Sequence, residues 1–419
     1  MKALNWRLCG LIVGVFACMA QVNAQTAKAE KFHRKAEKFL ESKPLKAIEF
    51  LEKALSADDK YAPARVTLGD ARMKQGRKEV ALDEYTKAVE AAPDYAPAYD
   101  RMADWYVAEK DWEKATEALN TLISLDSSAA KPWFRRGEIR MKEKNYFAAI
   151  ADYNMAMDRD SAQANWYLRR AYANKKQGYE FSAIEDYSTA IRLNPADAGP
   201  YFKRARLNMD LDDMAAVEKD IAHLEELDGQ NPRVHYFKAK VNYEQGRKDD
   251  AVEAFDRAIE LNPEYMEAFL GRGVTFVDLG KKKEAIDDFG EVLKYTPNNA
   301  NIRLFRGKLR FEEGDNEGAV PDLTEALKLD STLSEGYYIR AFAAFKLGDL
   351  ESSVQDFSTV VRRQPDAVDA WYNLALIYTR QGKYTDALNA HRKVVDIYPD
   401  YKDNIRLYKT LLNKLKGGR

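Results

Sequence analysis

The 419-residue chain has two cysteines, Cys9 and Cys18, both within its first eighteen residues. A product cut after Ala24 would hold no thiol, which excludes a disulfide or a cysteine-ligated metal site. Histidine is scarce: His33, His223, His235 and His391 lie far apart, none with a partner at ligand spacing, so no metal is expected. Charge of one sign is missing too. Lys and Arg number 66 against 67 Asp and Glu, interspersed to a net charge of −1. No clustered basic face exists for a phosphate backbone, so nucleic acid is not an expected partner. The short run Lys281–Lys283 reads as a solvated turn. Beyond residue 24 no stretch approaches the ~20 apolar residues of a membrane span, so no transmembrane segment is expected. Catalytic signatures are also lacking. Gly271-Arg272-Gly273 sits within a helical pattern and follows no strand, and no serine occupies an elbow-like turn. Carboxylates spread over helix faces single out no acid–base pair. The chain reads as non-enzymatic, without a cofactor.

What is present is helix-forming sequence, 32% charged and 46% apolar. Lys2 and Arg7 make a basic start, Leu8 to Ala20 a short apolar stretch, and Val22-Asn23-Ala24 a small-residue cleavage site. Residues 1–24 therefore read as a secretory signal peptide, and the protein as exported, with the periplasm as its expected location. The alternative is a membrane-anchored lipoprotein processed at Cys18, since Val15-Phe16-Ala17-Cys18 loosely matches a lipobox.

One pattern then returns every 34 residues without insertion. Its eleven units start at Lys28, Ala62, Ala96, Ala130, Ala164, Ala198, Pro232, Met266, Ala300, Ser334 and Val368, and the last ends at residue 401. Position 8 of each unit is Gly or Ala except Lys35, and position 20 is Ala except Val217 and Ser353. Small residues there let two helices approach closely. Position 24 is apolar except in the last unit (Tyr85, Tyr187, Phe255, Phe289 and Phe357 among them), and helical spacing of apolar residues marks two amphipathic helices per unit. Gly at position 15 (Gly76, Gly178, Gly246, Gly280, Gly314, Gly348, Gly382) suits a left-handed helix end. Pro at position 32 (Pro93, Pro195, Pro263, Pro297, Pro365, Pro399) separates one unit from the next.

This pattern resembles the tetratricopeptide repeat (TPR). The unit beginning at Met266 places Phe269, Gly273, Phe276, Ala285, Phe289 and Pro297 at that family's positions, and the resemblance spans residues 28–401. It implies an all-α fold: helix-turn-helix units in a right-handed superhelical α-solenoid, with first helices lining a concave surface. Repeats are stabilised by stacking on neighbours, so the ends need caps. Residues 402–419 are expected to form a C-terminal capping helix and tail, with Tyr401, Ile405, Tyr408, Leu411, Leu412 and Leu415 on one face and a frayed end at Gly417–Arg419. Two units depart from the pattern. The sixth has Asp212 for the turn glycine and Val217 at position 20; the ninth carries Gly318 and Pro321 inside its second helix. An interior proline costs ~3 kcal/mol or more, so a kink or a delayed helix start is expected in the ninth unit, and a bend at both.

Position 7 is Arg136, Arg170, Arg204, Arg272, Arg306 and Arg340, and position 23 of the same units is Asp152, Asp186, Asp220, Asp288, Asp322 and Asp356. Pairing each Arg within its unit fits better than pairing across units. These are expected as partly buried structural ion pairs between the two helices, in preference to an anion-binding ladder.

The resemblance implies that positions 2, 5, 9, 12 and 13 face the concave side. Position 5 supplies Phe134, Leu168, Phe202, Tyr236, Leu270, Leu304, Tyr338 and Tyr372; position 12 supplies Met141, Met209, Tyr243, Val277, Phe311 and Phe345; position 9 supplies Phe342 and Leu376. At position 13, Lys74, Lys142 and Lys176 give way to Asp210, Glu244, Asp278 and Glu312, which does not make a dedicated carboxylate clamp. Aromatic anchors with a charged rim suit peptide recognition. The expected function is a protein-interaction scaffold of the cell envelope, binding a partner protein or peptide in this groove. A holdase or assembly factor for exported chains, and an accessory subunit of an envelope enzyme complex, are the alternatives.

Overall fold

The computed structural model describes residues 23–417. The basic and apolar segment read as a signal, with Cys9 and Cys18, lies outside them. All regular structure among the described residues is helical. After a helix over 23–37, second helices begin at Pro44, Lys78, Trp112, Tyr146, Glu180, Met214, Lys248, Lys282, Asn316, Leu350 and Tyr384. First helices begin at Ala62, Ala96, Ala130, Ala164, Ala198, Pro232, Met266, Ala300, Ser334 and Val368. The chain divides into two compact units between Leu207 and Asn208, inside the first helix of the sixth repeat (Ala198–Asp210). In each unit the first and second helices of a repeat pack as an antiparallel pair, and each second helix packs on the next first helix. Each is an all-α solenoid.

The packing follows from three positions. The alanines at position 20, such as Ala81, Ala149 and Ala285, are wholly buried, as are Ala103, Ala171 and Ala239 at position 8. The large residue at position 24 lies over position 8: a Cβ added to Gly137 would meet the Tyr153 ring at 2.7 Å, and one on Gly273 the Phe289 ring at 3.1 Å. Ring and glycine therefore fill one volume together, and closeness at position 8 is what admits the aromatic. Where Ser353 replaces alanine, its hydroxyl donates to the Ala341 carbonyl at 2.8 Å, so the buried polar group is satisfied.

Position 15 is left-handed in every repeat from the second onward. Seven of these residues are glycine, but Lys110 (φ 62°), Lys144 (φ 60°) and Asp212 (φ 62°) adopt the same conformation. The next amide closes a Schellman bond in each case, for example Arg77 to the Arg72 carbonyl and Asp213 to the Asn208 carbonyl. Asp111, Asn145, Asp213, Asp315 and Asp349 then cap the second helices by accepting from a backbone amide.

Of the kink or delayed start expected in the ninth repeat, the delayed start is not found. Its second helix, Asn316–Leu329, starts at the same position as in other repeats and runs through Pro321, with no delayed start. Asp315 caps it at Gly318, and Arg310 donates to the Gly318 carbonyl at 3.0 Å, holding the first turn before the proline. At the C-terminus the helix Asn404–Gly417 continues through Gly417, where fraying was expected. Leu411 is buried there while Leu415 is exposed, so the apolar face is only partly covered.

Candidate partner-binding face and ion-pair ladder

The position-7 arginines form two-pronged bonds to the position-23 aspartates. Arg136 donates Nε and Nη2 to Asp152 at 2.9 and 2.7 Å. Arg272 binds Asp288 at 2.9 and 2.6 Å, Arg306 binds Asp322 at 2.8 and 2.6 Å, and Arg340 binds Asp356 at 2.8 Å through both nitrogens. Arg170 reaches Asp186 at 2.5 Å, and the buried Asn174 adds a bond to the same carboxylate. The aspartates are buried, the arginines partly so. In the sixth repeat the residues fall on either side of the unit division: Arg204 donates to Ser188, and Asp220 is buried.

Each arginine except Arg306, which meets Gly290 and Arg303 at the corresponding positions, makes further contacts that its spacing with aspartate did not reveal. Its outer nitrogen reaches back to position 25 of the preceding repeat: Arg136 to Asn120, Arg170 to Asn154, Arg272 to Asp256 and Arg340 to Thr324. It also lies over the aromatic ring at position 4, as Arg136 over Trp133 at 4.9 Å and Arg272 over Phe269 at 5.4 Å. One guanidinium thus joins three helices. Burial outweighs the Arg272 bond at Asp288 and holds its carboxyl above the ordinary aspartate range; Asp186 is raised for the same reason. The ladder is built into packing, and its carboxylates are spoken for.

A second polar motif was missed. Tyr85 at position 24 donates to Asp70 at 2.8 Å, and Arg101 of the next repeat binds the same carboxylate at 2.9 Å. Tyr153 donates to Glu138, which Arg169 approaches at 3.6 Å. The signal was available in the sequence as an acid at position 9 followed by Arg at position 6 of the next unit.

The expected groove residues are less accessible than a free wall would be. Phe202 (3% exposed) and Tyr372 (9%) are buried, which corrects their placement as exposed anchors. Tyr372 is sealed by the end of the chain: its ring meets Tyr401, Lys402 lies over it, and its hydroxyl donates to Asp403 at 2.6 Å. Phe134 stacks on Trp166 at 4.9 Å, and Tyr236 packs against Phe255 and Tyr265. Tyr243 donates to Asp278 at 2.7 Å, a bond that pushes its hydroxyl up to about 12. Leu168, Leu270, Leu304, Met141, Met209, Val277 and Leu376 are half-buried.

In the second unit the structure brings together Phe311, Tyr338, Phe342 and Phe345, all half-buried. Phe342 lies 6.3 Å from Phe311, 5.0 Å from Tyr338 and 5.1 Å from the fully buried Phe357, while Arg380 sits over Phe345 at 5.7 Å. These rings are fixed by neighbours and keep one side open. By contrast, the most exposed aromatics are Phe181 (77%) and Phe147 (68%) at position 18 of two second helices. Sequence reading passed over them, although position 18 is charged in six of the other nine repeats, as Glu79, Glu113, Asp249, Lys283, Glu317 and Glu351, the rest holding Leu45, Ala215 and Thr385.

The sequence model of the family described as tetratricopeptide repeat matches residues 42–96, 215–266, 236–290, 270–334 and 340–402, more than half of the chain. No curated protein matches it. Among solved structures, a tetratricopeptide repeat protein from Parabacteroides merdae shares 20% identity over 60% of this chain and 99% of its own, with a TM-score of 0.39. YrrB, described as a TPR protein with an unusual peptide-binding site, shares 22% over 54% of this chain and 99% of its own, at 0.38. Yeast Tom70 shares 16% over 93% of this chain and 96% of its own, at 0.35. With its 34-residue helix pairs and its family match, the chain belongs to the tetratricopeptide repeat family.

Proposed function

We propose that the protein is a non-enzymatic scaffold that binds a partner protein on its first-helix face, and that it acts in the cell envelope after export. The observation that carries the binding role is the row Phe311, Phe342 and Phe345, open on one side and braced on the other by buried residues. Rings already held in place lose little freedom on binding, so their contact area converts efficiently to affinity. Polar groups of this face are largely engaged internally, as Tyr243 with Asp278 and Lys308 with Glu335, which leaves the apolar surface to select the partner. Export is supported by Lys2, Arg7 and the apolar run to Ala20, ahead of Val22-Asn23-Ala24.

Affinity capture with the purified protein lacking residues 1–24 tests the binding role. A scaffold yields one stoichiometric partner; a broad set of unfolded clients would favour a holdase. Phe311→Ser and Phe345→Ser should each lower capture at least tenfold with helicity unchanged, and wild-type capture by both would overturn the reading. An alkaline phosphatase fused after residue 40 should be active in the periplasm of a bacterial host; an inactive fusion would remove the envelope role.

A further inference from the structure

The ninth rung of the arginine ladder departs from the others at two places that meet. Position 25 of the preceding repeat is Gly290 there, and a Cβ built on it would lie 3.4 Å from Nη1 of Arg306. Elsewhere Asn120, Asn154, Ser188, Asp256 or Thr324 accepts from that outer nitrogen. In Arg306 it faces the space of a missing side chain and, among the described residues, has no hydrogen-bond partner. Position 4, aromatic in the other rungs as Trp133, Tyr167, Tyr201, Phe269 and Tyr337, is Arg303 here. Its Nη1 lies 3.8 Å from Asp322, which Arg306 binds at 2.8 and 2.6 Å and Arg310 at 3.0 Å. Three half-buried guanidinium groups thus share one buried carboxylate, an excess of two positive charges. Nε of Arg310 is buried with no hydrogen-bond partner, Asp315 lying 3.8 Å away. Of the other acids within a turn of Gly290 or Asp322, Asp288 is held by Arg272, Glu291 binds Lys294 at 2.6 Å and Glu325 binds Lys328 at 3.4 Å. Asp287, three residues before Gly290, is exposed.

We infer that the ninth rung binds a phosphate group, a doubly charged oxyanion, in the place left by the missing side chain at Gly290. One oxygen takes the acceptor role that position 25 fills in the other rungs and receives the Nη1 hydrogen of Arg306. A second oxygen meets the guanidinium of Arg303, which here replaces a ring. The guanidinium fork matches phosphate oxygens in geometry, and two negative charges match the local excess. Partly buried cations without a counter-charge are costly, so the rung gains from an anion that the other rungs do not need. These residues stand at positions 4, 7 and 25, apart from positions 2, 5, 9, 12 and 13 of the concave side. The inference is therefore independent of the aromatic row.

Phosphorus NMR of inorganic phosphate titrated with the purified full chain tests this. At low salt, binding tighter than about 1 mM is expected, weakening as salt rises. Acetate should compete at least tenfold more weakly than phosphate competes with itself. Gly290→Asn supplies the side chain that Arg136 and Arg170 meet in their own rungs. It should weaken phosphate binding at least tenfold with the melting temperature unchanged or raised, since asparagine is also the better helix former. Arg303→Tyr, which restores the ring of the next rung, should weaken binding to the same degree, and Asp287→Asn should strengthen it about twofold. Glycerol phosphate separates the sources of the group: affinity equal to that of the free ion assigns a terminal ester phosphate, and weaker affinity assigns inorganic phosphate. Binding weaker than about 1 mM, wild-type binding by folded Gly290→Asn and Arg303→Tyr, or acetate held as tightly as phosphate would overturn the inference.

Discussion

At the scale of the residue, the ladder arginines have the clearest consequences. Arg272 spans Asp288 in its own repeat and Asp256 in the preceding one. Removing it leaves Asp288 buried without a cation, so Arg272→Ala should destabilise by about 3–5 kcal/mol in urea unfolding, and Arg272→Ala/Asp288→Ala by clearly less. Equal midpoints for wild type and both variants would show that the pair is not buried. The pH dependence has a defined sign. Because burial raises Asp288, its contribution is fully present below the ordinary aspartate value and is lost as pH rises through its raised one. Asp288→Asn should therefore flatten the stability curve just above about pH 4. A stability gain in wild type across that rise, absent from the variant, would contradict the assignment. The in-repeat pairing could be read because Arg and Asp recur at fixed positions 7 and 23. The bond to the preceding repeat could not, because position 25 varies among Asn120, Asn154, Ser188, Asp256 and Thr324 and no single residue type marks it.

At the scale of the element, the tight turn fixes more than local preference does. Glycine at position 15 in seven units foretold a left-handed helix end. Lys110, Lys144 and Asp212 adopt it as well, because the next helix must start two residues on and stacking enforces the register. For an L-residue this conformation costs roughly 1–2 kcal/mol, offset in part because its unfolded chain has less conformational entropy to lose than glycine's would. Lys110→Gly and Lys144→Gly should each stabilise by about 0.5–1 kcal/mol, whereas Gly246→Ala should destabilise by about 1; thermal unfolding measures both. Gly137→Ala works through a different cause. Its methyl would meet the Tyr153 ring at 2.7 Å, and overpacking should cost about 1–3 kcal/mol. The glycine–aromatic pairing was legible as small residues at position 8 and large ones at position 24. The continuous helix through Pro321 was not, since its cap at Asp315 and the Arg310 bond are set by neighbouring turns.

The capping helix joins element to whole. His391 replaces the usual apolar residue at position 24, is buried, and exchanges bonds with Asn404 through its ring and its carbonyl. Burial lowers its pKa below the ordinary histidine value, so the neutral form belongs to the folded end. The groups facing it are Tyr372, Asn404 and, through Coulombic interaction, Asp403. Its stabilisation is present above about pH 6.5 and is lost as pH falls towards its lowered value. Amide exchange across Asn404–Gly417 should accelerate between pH 7.5 and about pH 5 relative to other helices, after correction for intrinsic rates, and His391→Phe should remove the difference. A uniform response in wild type would contradict this.

At the scale of the molecule, repeat proteins hold together through neighbour contacts, and function lies in what successive helices present along one face. Period and family were readable over most of the chain because 34-residue spacing tolerates no insertion. The accessibility of the groove was not. Phe202 and Tyr372 occupy the same repeat position as Tyr338, yet their neighbours cover them, and only three-dimensional packing decides which rings stay open. Exposed Phe147 and Phe181 supply the rival surface, on second helices. Hydrogen exchange on the purified protein with its captured partner separates the two directly. Slowed exchange confined to the first helices Ala300–Glu312, Ser334–Leu347 and Val368–Arg380 is the result predicted; slowing instead over Tyr146–Met157 and Glu180–Leu193, with those first helices unchanged, would contradict the account.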